Sequence, residues 1–244
     1  MGAIRNLVFS TKKGYTFTGV PLITTSLLGD PDLWVHYEFD GNALDSSGNG
    51  NHGTEVTTID YSIDNPFEKG LLLTGSGHIN LPYSSNYVGT QTINVVAKGI
   101  NRIFQNGSDW VNPDYKGWNN LMGITNSNTV QGYTVVRTGL GAHGGNISVN
   151  ADYDLLEEYH TYTCVVDFGT NLYTFWFDGK MIRSLVIDPN DLYDTLRGSG
   201  RDSTVGTRYG TGGASWGPFS GQILDFAYFK RALTESEIKE LAGK

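Results

Sequence analysis

Leu33-Trp34-Val35-His36-Tyr37-Glu38-Phe39-Asp40-Gly41 alternates side chains as a half-buried β-strand requires, with Val35, Tyr37 and Phe39 on one face and Trp34, His36 and Glu38 on the other. The same two-residue period recurs at residues 70–73, 78–81, 91–97, 120–124, 132–137, 146–150, 160–167, 171–177, 180–186, 203–206 and 221–229, each bounded by turn residues. Two apolar stretches, 173–177 and 181–185, flank Asp178-Gly179, a strong hairpin signal. Helical periodicity is confined to the C-terminus. There Thr234-Glu235-Ser236-Glu237 fits the capping box ahead of Ile238 and Leu241, predicting a helix over 234–241 that stops near Gly243. Many short strands and one short helix give an all-β chain.

Composition agrees with that reading. Gly contributes 32 of 244 residues, about twice the usual roughly 7%, while charged residues fall to 17%. A net charge of -8 disfavours a nucleic-acid partner, because affinity for phosphates comes from Lys and Arg. No run approaches the roughly 18 apolar residues of a membrane span, and membrane insertion is not expected. Cys164 is the single cysteine, which excludes an internal disulfide. Residues 1–29 carry Arg5, Lys12 and Lys13 and no acid, whereas residues 30–68 carry nine acids and no Lys or Arg. The division predicts a basic N-terminal arm over 1–32 and a single domain over 33–244.

Three motifs are decoys or partial matches. Gly139-Leu140-Gly141-Ala142-His143-Gly144 has the dinucleotide-loop spacing, but a strand comes next where a helix is needed, so it reads as a glycine-rich loop. Gly213-Ala214-Ser215-Trp216-Gly217 has the nucleophile-elbow spacing, yet every histidine precedes Ser215. Asp45, Ser47 and Asn49 place oxygen-bearing side chains at alternate positions ahead of Gly50, as in the first half of a calcium loop. Val56 stands where the closing bidentate Glu would be. A tight turn held by side-chain to backbone hydrogen bonds fits the same residues equally well.

Five blocks in order carry a resemblance. The opening stretch with Asp45-Ser46-Ser47-Gly48-Asn49-Gly50-Asn51-His52-Gly53, then 69–73 through Leu81-Pro82, then Tyr159-His160-Thr161-Tyr162, then 172–180, then 221–226 through Arg231-Ala232-Leu233 resembles laminin G-like domains of the concanavalin A-like lectin/glucanase superfamily. The resemblance implies a single jelly-roll β-sandwich of two antiparallel sheets with a short C-terminal helix. It also implies a non-catalytic binding module, a Ca2+ ion held by Asp40, Asp45 and Asp225, and surface glycans as ligands. Glu38 and Asp40 make no complete catalytic set, because Gly41, Asn42 and Ala43 stand where a sandwich glycosidase places a further acid. A glycoside hydrolase using that pair is the less favoured alternative.

Aromatic residues in polar, glycine-rich surroundings supply the candidate ligand residues: Trp110, Tyr115, Trp118 and Trp216. Flat rings beside amides and carboxylates suit a sugar, a protein partner or the cap of a core. With no secretion signal and no disulfide in the sequence, a lectin-like domain is expected on a bacteriophage virion surface. There Arg5, Lys12 and Lys13 would dock the arm on other virion or assembly subunits. A carbohydrate-binding adhesin at the cell surface or outside the cell is the alternative.

Overall fold

The computed structural model describes residues 25–57, 59–63, 65, 67, 69–74, 77–82, 89–106, 117–126, 129–138, 141–150, 158–186, 203–206 and 219–244. A short helix α1 (Thr25–Leu28) is followed by strands β1 (Leu33–Tyr37), β2 (Thr54–Val56), β3 (Leu71–Leu73), β4 (His78–Asn80) and β5 (Gln91–Asn106). Then come β6 (Gly117–Asn126), β7 (Thr129–Thr138), β8 (Gly141–Asn150), β9 (His160–Asp167), β10 (Leu172–Phe177), β11 (Lys180–Val186), β12 (Thr204–Val205) and β13 (Ser220–Phe229), and helix α2 (Glu235–Leu241) closes the chain. All pairings are antiparallel. One sheet runs β11-β10-β9-β5-β13, and the far edge of β13 is shared by β3 and β1. The other runs β8-β7-β6-β5-β12-β4-β2. The fold is an all-β sandwich.

Strand β5 belongs to both sheets. Residues 92–100 pair with β13, and residues 101–106 pair with β6. At about 3.3 Å per residue its 16 residues extend roughly 50 Å. The change of sheet falls at Gly99, which has φ +139° and lies against Gly221 with φ +152°. Sequence alternation alone predicts an end at Ala97, because Lys98-Gly99 breaks the period. The glycine is a corner of the strand and not its end.

Between the sheets lies the main core, in which Tyr37, Phe104 and Phe226 pack with ring centroids 5.3 to 5.8 Å apart. The outer face of the first sheet is buried too. Leu27, Leu33, Val165, Trp176, Ala227 and Phe229 form a second cluster with Leu233, Ile238 and Leu241 of the helical end. All five residues of β1 are therefore buried, where simple alternation predicts a polar outer face. The strand also ends at Tyr37, and Phe39 turns left-handed at φ 53°. Gly141–Asn150 pairs along its whole length with β7, so the expected glycine-rich loop is strand from Gly141 onward. Glycines carry no side chains to reveal a period.

Helix α2 is capped as its sequence predicts. Thr234 accepts from Glu237 N while the Glu237 carboxylate accepts from Thr234 N. Arg231 adds a clamp, donating to Glu237 Oε2 at 3.0 Å and Oε1 at 2.6 Å and to Asp30 Oδ2 at 2.8 Å through Nε. Ser26 donates to Glu240 at 2.8 Å. The last residues of the expected arm are thus packed on α2, and Leu27 is 3% exposed. Arg5, Lys12 and Lys13 lie outside the described residues. The bond from Arg231, against an upward push from burial and with help from Thr234, draws the Glu237 carboxyl down to about 2. A depressed carboxyl contributes stability above its unfolded value and loses it as pH falls through the folded one. Thermal unfolding followed by circular dichroism should therefore show a decline between about pH 4.5 and pH 2 that Glu237→Gln makes smaller. The same variant should cost about 1 kcal/mol at neutral pH, and Thr234→Ala about 1 kcal/mol.

Candidate functional site

The opening strand, the turn after it and the closing strand meet at the edge of the first sheet, and most of the polar residues singled out by the sequence meet there. Asp45 is 9% exposed. Its Oδ1 accepts from the backbone N–H of His36 at 2.9 Å and of Ser47 at 3.0 Å, and its Oδ2 from the Ser47 hydroxyl and the Asn51 N–H, both at 2.9 Å. Burial pushes this carboxyl up, but the His36 N–H, the Ser47 hydroxyl and N–H and the Asn51 N–H together hold it below its ordinary value. Asn49 donates through Nδ2 to Leu33 O at 2.7 Å, and Asn51 through Nδ2 to Trp34 O at 2.9 Å. The side chains that resemble half a calcium loop therefore satisfy the backbone of β1 and of the turn itself. This is the tight-turn alternative, built around one carboxylate.

Asp225 lies on the outer face of the sheet and is 1% exposed, as is His36. Its Oδ2 meets His36 Nε2 at 3.0 Å, and Lys69 Nζ stands 4.0 Å away. His36 Nδ1 and Asp225 Oδ1 are buried without a hydrogen-bond partner. Burial pushes the His36 imidazole down, but the Asp225 charge and hydrogen bond, with Glu38 behind them, raise it above its ordinary value. Asp40 is exposed, past the end of β1. Glu38 accepts from the Ser46 hydroxyl at 3.1 Å. Because Phe39 is left-handed, Glu38 and Asp40 do not share a strand face as the alternation predicts.

Among the described residues no three His, Cys, Asp or Glu side chains are grouped as metal ligands. Asp40, Asp45 and Asp225 do not form one donor set, and the oxygens of Asp45 are taken by donors of the chain. The residues present do not fit the Ca2+ ion that the resemblance implies.

No protein-family model matches this sequence, and no curated protein matches it. Solved structures do. Domain 4 of AbnA, an extracellular GH43 arabinanase of Geobacillus stearothermophilus solved with arabinotriose, superimposes with TM-score 0.61 at 18% identity, covering 86% of this chain and 98% of that one. The CBM40 of the Ruminococcus gnavus IT-sialidase, bound to α2,3-sialyllactose, gives TM-score 0.58 at 16% identity over 71% of this chain and 96% of that one. The receptor-binding domain of botulinum neurotoxin mosaic serotype C/D gives 0.60 at 13% identity over 86% of this chain, which spans 50% of that one. The likeness is one of fold, an antiparallel β-sandwich.

The expected ligand residues are spread along the chain. Trp118 is in β6 and pairs with Val136 of β7. Trp110, Tyr115 and Trp216 lie outside the described residues. No described helix is long and apolar enough to cross a membrane. Sequence reasoning missed the partners of Asp225. The signal for them was a lone acid in an otherwise apolar strand, which must find donors once buried; His36 and Lys69 supply the positive side of that requirement.

Proposed function

We propose that this chain is a non-catalytic glycan-binding domain of the laminin G-like kind, displayed on a virion surface by its N-terminal segment. The observation that carries the binding role is the near-complete overlap with domain 4 of the arabinanase, a domain solved with a sugar bound. Trp118, with Trp110, Tyr115 and Trp216, supplies rings for stacking against sugar faces. The anchoring role is supported by the path of the chain. Ser26 and Leu27 dock on α2, near the start of β5, where the Thr92 hydroxyl donates to Arg231 O. The connection from β5 to β6 leaves β5 at its opposite end.

A glycan array with the full chain tests the first half. Binding to at least one arabinan-type or sialylated glycan is expected, with Trp118→Ala lowering affinity about tenfold or more while the thermal midpoint stays. No binding to any glycan would overturn it, as would cleavage of a bound polysaccharide that Glu38→Gln abolishes. Removing residues 1–24 tests the second half. The shortened chain should remain folded and lose sedimentation with particles.

A further inference from the structure

Lys69 and Asp225 meet where two backbone irregularities press together. Gly70 has φ +117°, and a Cβ there would lie 2.8 Å from Leu224 Cδ2 and 2.9 Å from Ile223 O. The chain carrying Lys69 therefore runs hard against β13 at the bulge between Ile223 and Asp225. Both side chains are enclosed, Lys69 at 13% exposure and Asp225 at 2%. An ammonium and a carboxylate free to adjust would close to a hydrogen bond of about 2.8 Å. Here they stay 4.0 Å apart, Oδ2 is held by His36 Nε2 at 3.0 Å, and Oδ1 has no partner. That 4.0 Å separation is to Oδ2, and the amine must still close on Cγ to the roughly 3 to 3.5 Å of a near-attack geometry. An acid–base group is already on the oxygen that would leave.

We propose that Lys69 and Asp225 condense to an intramolecular amide, with His36 moving the protons. The Lys69 ammonium gives up a proton through the imidazole to the carboxylate. The freed lone pair on Nζ forms the Nζ–Cγ bond, and the tetrahedral adduct loses a second nitrogen proton to His36. Nε2–H then protonates Oδ2, the Cγ–Oδ2 bond breaks, and water leaves. One ammonium and one carboxylate become one amide and one water, and no oxidant or co-reactant is needed. Condensation also removes two charges from a site where holding them is costly. The product ties the segment before β3 to the closing strand.

The intact mass of the purified full chain under denaturing conditions is the test. A mass lower than that of the sequence by one water is expected, together with a branched proteolytic peptide joining Lys69 to Asp225. Hydroxylamine should leave that linkage in place, since it opens a succinimide such as one at Asp178-Gly179 but not an amide. Lys69→Arg and Asp225→Ala should retain the full mass, and His36→Gln should slow the loss of water about a hundredfold. A wild-type chain at the full sequence mass overturns the proposal, and so does a lost water mapped to any other residues. Should the variants fail to fold, the wild-type mass and peptide map decide alone.

Discussion

Gly99→Ala is expected to abolish cooperative folding, and Gly221→Ala to do nearly the same. A Cβ on Gly99 would lie 2.4 Å from Ser220 O and 2.7 Å from Gly221 Cα; one on Gly221 would lie 2.2 Å from Lys98 O and 2.6 Å from Gly99 Cα. Each neighbour is backbone of a paired strand, so neither can rotate away. Both positions also have φ values that side-chain-bearing residues rarely adopt. The expected cost is about 4 kcal/mol or more, in the range reserved for strain at a special backbone position. Urea unfolding of the two variants measures it. A loss below about 1 kcal/mol, the common effect of a point change, would mean that β5 can turn from one sheet to the other without this contact.

Asp45→Ala should be the next most damaging change, at about 3 to 4 kcal/mol, because it strands donors from His36, Ser47 and Asn51 in a largely buried turn. Asp45→Asn keeps one oxygen but offers an amide where the chain presents donors, and should recover less than half of that loss. The pH dependence separates this role from simple packing. With its folded value below the ordinary one, the carboxylate stabilises the protein above the unfolded value, and the contribution disappears as pH falls through the folded value. Urea midpoints of the wild type should drop as pH falls below about 4, and those of Asp45→Asn should drop less. Parallel curves would remove the carboxylate charge from the account.

The legible part of the sequence was local. The Asp178-Gly179 turn takes φ values of 47° and 72°, as a two-residue hairpin requires, and the capping box at Thr234 forms with both of its bonds. Each depends on residues a few positions apart. The full run of β5 was not legible, since Lys98-Gly99 looks like a turn until Gly221 is known to lie beside it. Likewise Asp45 announces a turn, but only the adjacent β1 decides that its oxygens face His36 N–H and not an ion. The set of His36, Lys69 and Asp225 joins three distant segments. No spacing rule could assemble it, although the isolated acid in β13 announced that partners must exist.

The pairing of the first long-range strand with the last has a mechanical consequence. Leu33 opens β1 opposite Phe229, which closes β13, so the two chain directions leave from the same end of the ladder. Tension applied between the residues before β1 and those after β13 would open this ladder bond by bond, like a zipper, and would not load all its bonds in shear. The first element to bear that load is the Asp30–Arg231–Glu237 clamp, with Leu27 seated beside α2. A domain tethered through residues 1–24 and pulled from a ligand held elsewhere on the sandwich would be strained along a different line, leaving the zipper unloaded. Resistance to force in this molecule is thus a matter of which two points are held.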